Sequence, residues 1–182
     1  MKNLMLAIVG SRETNSYWKD IAYKFSYEIA KSGIPIVSGL ARGIDTIAHR
    51  AAIDAGGTTI AVLGSGIDII YPPENKDLAR EIEKHGKIVS PFPKGTPPLA
   101  KNFLARNKII AEMSQAILVV GGKRRSGTLS TAAAAANLGR EVFVIPGPMN
   151  DPYSEAGLYL IENGATVVED PKEIIDYMRG LE

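Results

Sequence analysis

Cysteine is absent from this chain of 182 residues. Its absence excludes disulfides, zinc–thiolate sites and thiol nucleophiles together. It is also compatible with a reducing cytoplasm, the compartment expected here. Long hydrophobic runs are missing too: no apolar stretch reaches the roughly 20 residues of a membrane helix. The N-terminal MKNLMLAIVGSRE has too short an apolar run for a signal peptide and reads as a first strand, so no membrane partner is expected. An excess of one charge is lacking, with Lys+Arg 21 against Asp+Glu 20 and a net charge of +1. The chain as a whole therefore has no general attraction to nucleic acid or to a membrane surface. Histidine is scarce, and no Ser/His/Asp set or metal-ligand spacing occurs, so neither a metal nor another cofactor is expected. Repeats, low-complexity tracts and linkers are absent. What remains, 45% hydrophobic and 23% charged residues, is ordinary for a globular protein and fits one domain over residues 1–182.

Short apolar runs recur at Leu4–Val9, Ile34–Ser38, Thr58–Leu63, Lys87–Ser90, Ala116–Val120, Glu141–Ile145 and Ala165–Val168. Several are nearly continuous rather than alternating, as in parallel strands covered on both faces. Helical patterns separate them. Trp18, Ile21, Ala22, Phe25 and Ile29 form one stripe, and Ile44, Ile47, Ala48 and Ala51 another. Leu158 and Ile161 mark a later helix; Ile174, Ile175 and Met178 mark the last. This alternation predicts right-handed βαβ units and an α/β fold: a doubly wound, mostly parallel sheet with helices on both faces, an extended Rossmann-like fold. Ser90–Pro98 reads as a proline-rich loop within the domain.

Ligands of such sheets bind at the carboxyl ends of the strands, where this sequence places glycine loops. These are Gly10-Ser11-Arg12, Ser38 to Asp45, Gly64 to Asp68, Gly121 to Thr128 and Pro146-Gly147-Pro148. One such loop is weak evidence, but all of them share one sheet edge. Charge is concentrated there. From Lys101 to Thr131 stand Lys101, Arg106, Lys108, Lys123, Arg124 and Arg125 against a single acid, Glu112. The alanine-rich helix that follows offers Ser126, Thr128 and free N–H groups in its first turn, which beside guanidiniums makes an anion site. The ligand class implied is a polyanion or a nucleotide. The loops match neither a dinucleotide fingerprint nor a Walker A motif, because GSGID lacks the third glycine and no lysine stands between Gly127 and Thr128.

Other residues have plainer readings. Trp18 and Phe25 are core by spacing. His49 reads as a packed or capping histidine rather than a base, and His85 as an exposed residue at a helix stop. Asp45 and Asp68 read as helix caps. Phe92 and Phe103 flank the proline-rich loop and the basic run, where core packing and base stacking are both open to them.

The series VGSR, SGLARGIDTIAHRAAIDAGGTTIAVLGSGIDIIYPPEN, FLARNKIIAEMSQAILVV, SGTLSTAAAAANLGREVFVIPGP and LIENGA resembles the DprA/Smf family of DNA-processing proteins from about Val9 to Val168. The resemblance implies a non-enzymatic protein that binds and protects single-stranded DNA in natural transformation, helps load a RecA-type recombinase, and forms a homodimer. It implies a DNA pocket of positively charged loops: Arg12; Gly39 and Arg42; Phe103, Arg106, Asn107 and Lys108; and Lys123, Arg125, Ser126, Gly127 and Thr128. Arg12, Arg42, Arg106 and Lys108 would meet phosphates, backbone amides at Gly39 and Ser126–Thr128 would take others, and Phe103 would stack on a base. An apolar surface for the dimer is expected around Tyr153, Leu158, Tyr159 and Tyr177. Two acids usual in the family, after the strand ending at Ser90-Pro91 and at Gly121-Gly122, are missing. So are the small helical domains that flank the core in full-length members, so a stand-alone core is expected.

Two other readings compete. Nucleotide-processing enzymes resembling the cytokinin-activating phosphoribohydrolases share this fold with a PGG.GT..E loop. Here Thr131 stands three residues after Thr128 and alanine follows, so their catalytic glutamate is absent. A nucleotide-sensing domain that binds without turnover is the third reading.

Overall fold

The computed structural model describes residues 4–181. Its seven strands are β1 (Leu6–Gly10), β2 (Ile36–Ser38), β3 (Thr59–Val62), β4 (Gly86–Val89), β5 (Ala116–Val120), β6 (Glu141–Val144) and β7 (Thr166–Val167). They form one sheet in the order β4-β3-β2-β1-β5-β6-β7, with every pairing parallel. Each apolar run of the sequence thus became a strand. The helices are α1 (Ser16–Lys31), α2 (Ile44–Asp54), α3 (Lys76–His85), α4 (Ala100–Met113), α5 (Gly127–Asn137), α6 (Glu155–Glu162) and α7 (Pro171–Arg179).

Alternation along the central strands divides the core into two layers. Leu6, Ile8, Leu118 and Val120 point to one face, where Trp18, Ala22, Phe25 and Ile29 of α1, Ile44, Ala48 and Ala52 of α2, and Ile174 and Met178 of α7 cover them. Ala7, Val9, Ile117 and Val119 point to the other, beneath Ile110 and Ala111 of α4 and Ala132 and Ala135 of α5. Leu78, Ala79 and Ile82 of α3 cover Ala61 of β3 and Leu63 just after it. Both faces are covered, which is why the strands read as continuous apolar runs. Trp18 and Phe25 are core residues, as their spacing predicts.

Strand order reverses between β1 and β5. The loops leaving these neighbours diverge to opposite faces and open a crevice between them. The crevice therefore falls between Gly10-Ser11-Arg12 and the basic turn Gly121 to Ser126.

Candidate nucleic-acid interface

A cavity of about 390 Å³ occupies this crevice. Its lining combines Gly10, Ser11, Arg12 and Glu13 after β1, Ala41 and Asp45 before and within α2, and Arg106, Asn107 and Ile110 of α4. Lys123, Arg125, Ser126, Gly127, Thr128 and Thr131 close it from the β5 side. A smaller hollow adjoins it, lined by Arg12, Gly39, Ala41, Arg42, Tyr71, Pro72 and Phe103. Eleven of the twelve residues expected from the sequence line one of these two depressions; Lys108 lies outside both, exposed on α4.

The strongest anion site is the start of α5. Ser126 occupies the N-cap position, but its side chain makes no capping bond, and no acidic residue stands in the first turn. The Ser126 Oγ is buried without a partner. A helix end that leaves N–H groups unsatisfied beside a cluster of cations presents donors and positive potential to an incoming phosphate. Arg12, Lys123 and Arg125 stand exposed around it. Thr128, 6% exposed, faces the same cavity.

The opposite wall is a hydrogen-bonded frame. Arg106 is buried at 3% exposure, its Nη1 donating to the carbonyls of Gly39 and Val62, the latter at 2.8 Å. Its Nε donates to Asn107 Oδ1 at 3.1 Å, and Asn107 Nδ2 donates to Ser130 Oγ at 2.8 Å and to the Gly127 carbonyl at 3.3 Å. One chain of bonds thus joins the β2 loop to the first turn of α5. Asp45 Oδ2 accepts from the N–H groups of Gly39 (3.1 Å) and Ala41 (3.3 Å). Burial pushes the Asp45 carboxyl above the usual carboxylate range, against the opposing pull of the Arg106 charge. Burial likewise lowers Arg106 from its ordinary value, opposed by Asp45.

Three sequence expectations are corrected by this frame. Phe103, Arg106, Asn107 and Lys108 belong to helix α4, not to a loop. Arg106 is a buried frame residue rather than an exposed charge, because its Nη1 is committed to the Gly39 and Val62 carbonyls and its Nε to Asn107 Oδ1. Asp45 and Asp68 cap no helix: Asp45 lies inside α2 and holds the β2 loop, and Asp68 accepts from Gly95 N–H at 2.9 Å, tying down the proline-rich loop. His49 is a packed histidine, and His85, expected exposed, is half-buried at the end of α3.

Two glycines set the loop geometry. Gly43 has φ +75°, and a Cβ there would run into the Ser11 and Arg12 backbone. The β1 and β2 loops are therefore in direct contact, with Ile44 N–H donating to the Ser11 carbonyl at 3.1 Å. Gly39 is closed in by Arg106 and Asp45 and leaves no room for a side chain. The intervening Leu40 adopts φ +56°. Buried Asn75 stabilises that strained residue, donating to the Leu40 carbonyl at 3.0 Å and to Thr46 Oγ1 at 2.9 Å. The YPPEN segment thus supports the site, a role its residue types alone did not disclose.

Phe103 is half-buried beside the smaller hollow. The Arg12 guanidinium lies 5.2 Å from its ring centroid and that of Arg106 5.5 Å, while the Tyr71 ring is tilted against it at 5.7 Å. Two acids compete for the site's cations. Glu74 holds Arg42 through two bonds, at 2.5 and 3.1 Å, and Glu13 lies 3.9 Å from Lys123. Both arrangements are solvent-exposed, so a phosphate exchanges with them at small cost. No group of three or more His, Asp or Glu able to hold a metal occurs among the described residues. No described helix is long and apolar enough to cross a membrane.

Residues 1–179 match the family model of DNA recombination-mediator protein A. Protein Smf of Escherichia coli K12 is 44% identical over 180 residues, which are 98% of this chain and 48% of that protein. The chain spans about half the length of the curated relatives it matches. The X-ray structure of DNA processing protein A from Streptococcus pneumoniae superposes with a TM-score of 0.87 at 38% identity, covering 95% of this chain and 61% of that one. A structure describing the single-stranded DNA binding mode of DNA processing protein A from Helicobacter pylori gives 0.89 at 31% identity, covering 98% and 81%.

Proposed function

The chain belongs to the DNA recombination-mediator protein A family, and from that premise we propose that it binds single-stranded DNA in the crevice between β1 and β5. The observation that carries this reading is the uncapped start of α5, its buried Ser126 hydroxyl unpartnered, facing Arg12, Lys123 and Arg125. A phosphate seats on the helix end, the cations meet its neighbours, and Phe103 receives a base. Arg42 joins when phosphate displaces Glu74. Binding proceeds without cleavage: Thr131 stands where a hydrolytic glutamate would be needed, and Asp45 is occupied by backbone N–H groups. The protein would protect a strand in the cytoplasm and hand it to a RecA-type recombinase.

Fluorescence anisotropy with a thymidine oligomer tests the reading. Roughly four phosphate contacts, from Arg12, Arg42, Lys123 and Arg125, should give log K against log salt a slope of about −3 per protomer. Phe103→Ala should weaken binding by about 1–3 kcal/mol and leave that slope unchanged. Duplex DNA should bind more weakly, because its bases cannot reach the ring. A flat salt dependence, or a mononucleotide binding as tightly as the oligomer, would identify the cavity as a small-nucleotide site instead; its volume suits either ligand.

The protein also acts as a homodimer in this proposal. The surface for it is narrower than the sequence suggests. Tyr177 packs edge-on against Phe143 at 5.2 Å, and Tyr153 packs on the core. Leu158 remains 50% exposed on α6 and is the apolar side chain left to such a contact. Light scattering should give twice the 19.5 kDa chain mass; a clean monomer at micromolar concentration would remove the dimer.

A further inference from the structure

Cations and aromatic rings are paired along the whole carboxyl edge of the sheet. On the β3 side Arg12 and Arg106 lie over Phe103, and Arg42 lies 6.0 Å from the Tyr71 ring. On the β6 side Lys123 Nζ lies 5.5 Å from the Tyr153 ring centroid, and the Arg124 guanidinium 5.2 Å from that of Tyr159. Among the described residues, every such pair except Lys31 with Tyr27 draws its cation from this edge, while Tyr159 itself lies within α6 and also lines a groove with Arg140 and Glu141. Significant cation–aromatic pairs occur only about once per 70–80 residues and have no general reason to gather at one edge. The cavity lies between the two groups.

The β6-side pairs are fixed to the cavity wall. Gly122 N–H donates to the Tyr153 carbonyl at 2.6 Å, and Ala156 N–H donates to the Gly122 carbonyl at 2.8 Å. Arg124 N–H donates to Glu155 Oε2 at 3.1 Å. The basic turn and the start of α6 therefore form one unit, with Tyr153 just before the helix and Tyr159 within it. Both rings are half-buried, each offering part of its surface.

We propose that Tyr153 and Tyr159, with Lys123 and Arg124, form a second base-stacking platform, which extends the single-strand track across the sheet from β3 to β6. A strand arriving there replaces both members of each pair. Its phosphate takes the cation, and its base takes the ring face that the cation covers. Every base has a stacking face, so the platform is indifferent to sequence. The four strand intervals from β3 to β6, at about 4.8 Å each, span roughly 19 Å. That distance corresponds to about five or six nucleotides of stacked strand at 3.4 Å each.

This inference rests on the single-strand reading above, and an oligomer-length series separates the two. Thymidine oligomers of about four and about twelve nucleotides bracket the expected track. The wild-type protein should bind the longer one more tightly. The Tyr153→Ala/Tyr159→Ala double variant should lose most of that gain, roughly tenfold or more, while the Tyr153→Phe and Tyr159→Phe variants keep it. An undiminished gain in the double alanine variant would overturn the second platform and leave the first standing. No binding of either oligomer by the wild-type protein would overturn the single-strand reading itself. Tyr153 also packs on the core, so wild-type cross-linking with 5-iodouracil at successive oligomer positions provides a check independent of folding. Adducts at Tyr153 or Tyr159 support the platform, and adducts confined to Phe103 refute it.

Discussion

Arg106→Ala should destabilise the protein by about 3–5 kcal/mol, the scale of breaking a buried charged arrangement by removing one side. In a chain of this size each kcal/mol moves the melting temperature by about 2–4 °C, so the midpoint should fall by roughly 6–20 °C. The change removes the donor serving the Gly39 and Val62 carbonyls, and it leaves the buried Asp45 carboxylate without its compensating charge. It also breaks the link through Asn107 to the α5 turn. Arg106→Lys should recover only part of the loss, because one ammonium cannot reproduce the spread of a planar guanidinium. Thermal melts followed by circular dichroism decide the matter. Unaltered melting with weakened DNA binding would show Arg106 to be a free phosphate ligand, the role first expected of it.

The second large effect is a loss of stability in acid centred on His49. This side chain is fully buried, with Nδ1 2.7 Å from Thr59 Oγ1. Thr59 donates its own hydroxyl proton to the Ile36 carbonyl at 3.1 Å. Nδ1 therefore carries the hydrogen and donates to Thr59, an assignment inferred from the bonding pattern. Nε2 is left bare, buried and without a partner. Protonation would put a charge where nothing accepts it, close to the Arg106 charge. Burial first, and Arg106 second, push the His49 pKa down from 6.5 to about 3.

The folded value lies below the unfolded one, so the unfolded chain binds the proton more readily between them. The stabilisation is complete above pH 6.5 and drains away as pH falls toward 3. At pH 4.5 about 2–3 kcal/mol should be lost, at 1.36 kcal/mol per pKa unit. Asp45 works in the opposite sense: its folded value is raised, so it adds stability as pH falls below that value toward the unfolded one. His49→Asn, which retains a polar atom near Nδ1, separates the two. Its stability deficit at neutral pH, read from urea unfolding, should shrink as pH falls to 4.5. A deficit constant with pH would show that His49 does not carry the acid sensitivity.

Much of this architecture was legible in the sequence because strands covered on both faces leave continuous apolar runs. The β5–α5 turn was legible for a different reason: glycines, cations and an alanine-rich helix stand adjacent in the chain. Helix α4 was not. Its buried face comprises Asn102, Arg106, Asn107, Ile110 and Ala111, positions with helical spacing but with polar residues at three of them. A search for apolar stripes passes over such a face, since arginine is almost never fully buried unless paired. The signal was the spacing itself, together with an acid, Asp45, beside the apolar stripe of α2. The roles of Tyr71, Glu74 and Asn75 were hidden because they arise only where segments distant in the chain converge.

The pairing of β1 with β5 has a consequence for synthesis. These neighbours are joined across 110 residues of chain, as in the bond from Met5 N–H to Gln115 Oε1. On a ribosome adding about 5–20 residues per second, β1 emerges on the order of 5–20 s before its central partner. During that interval one side of an apolar strand has nothing to pair with, a state open to aggregation. The two lips of the crevice meet only when β5 docks. The nascent chain acquires its grip on a ligand only after the fifth strand and the start of α5 have emerged, and an incomplete molecule does not compete with finished ones for the same strand.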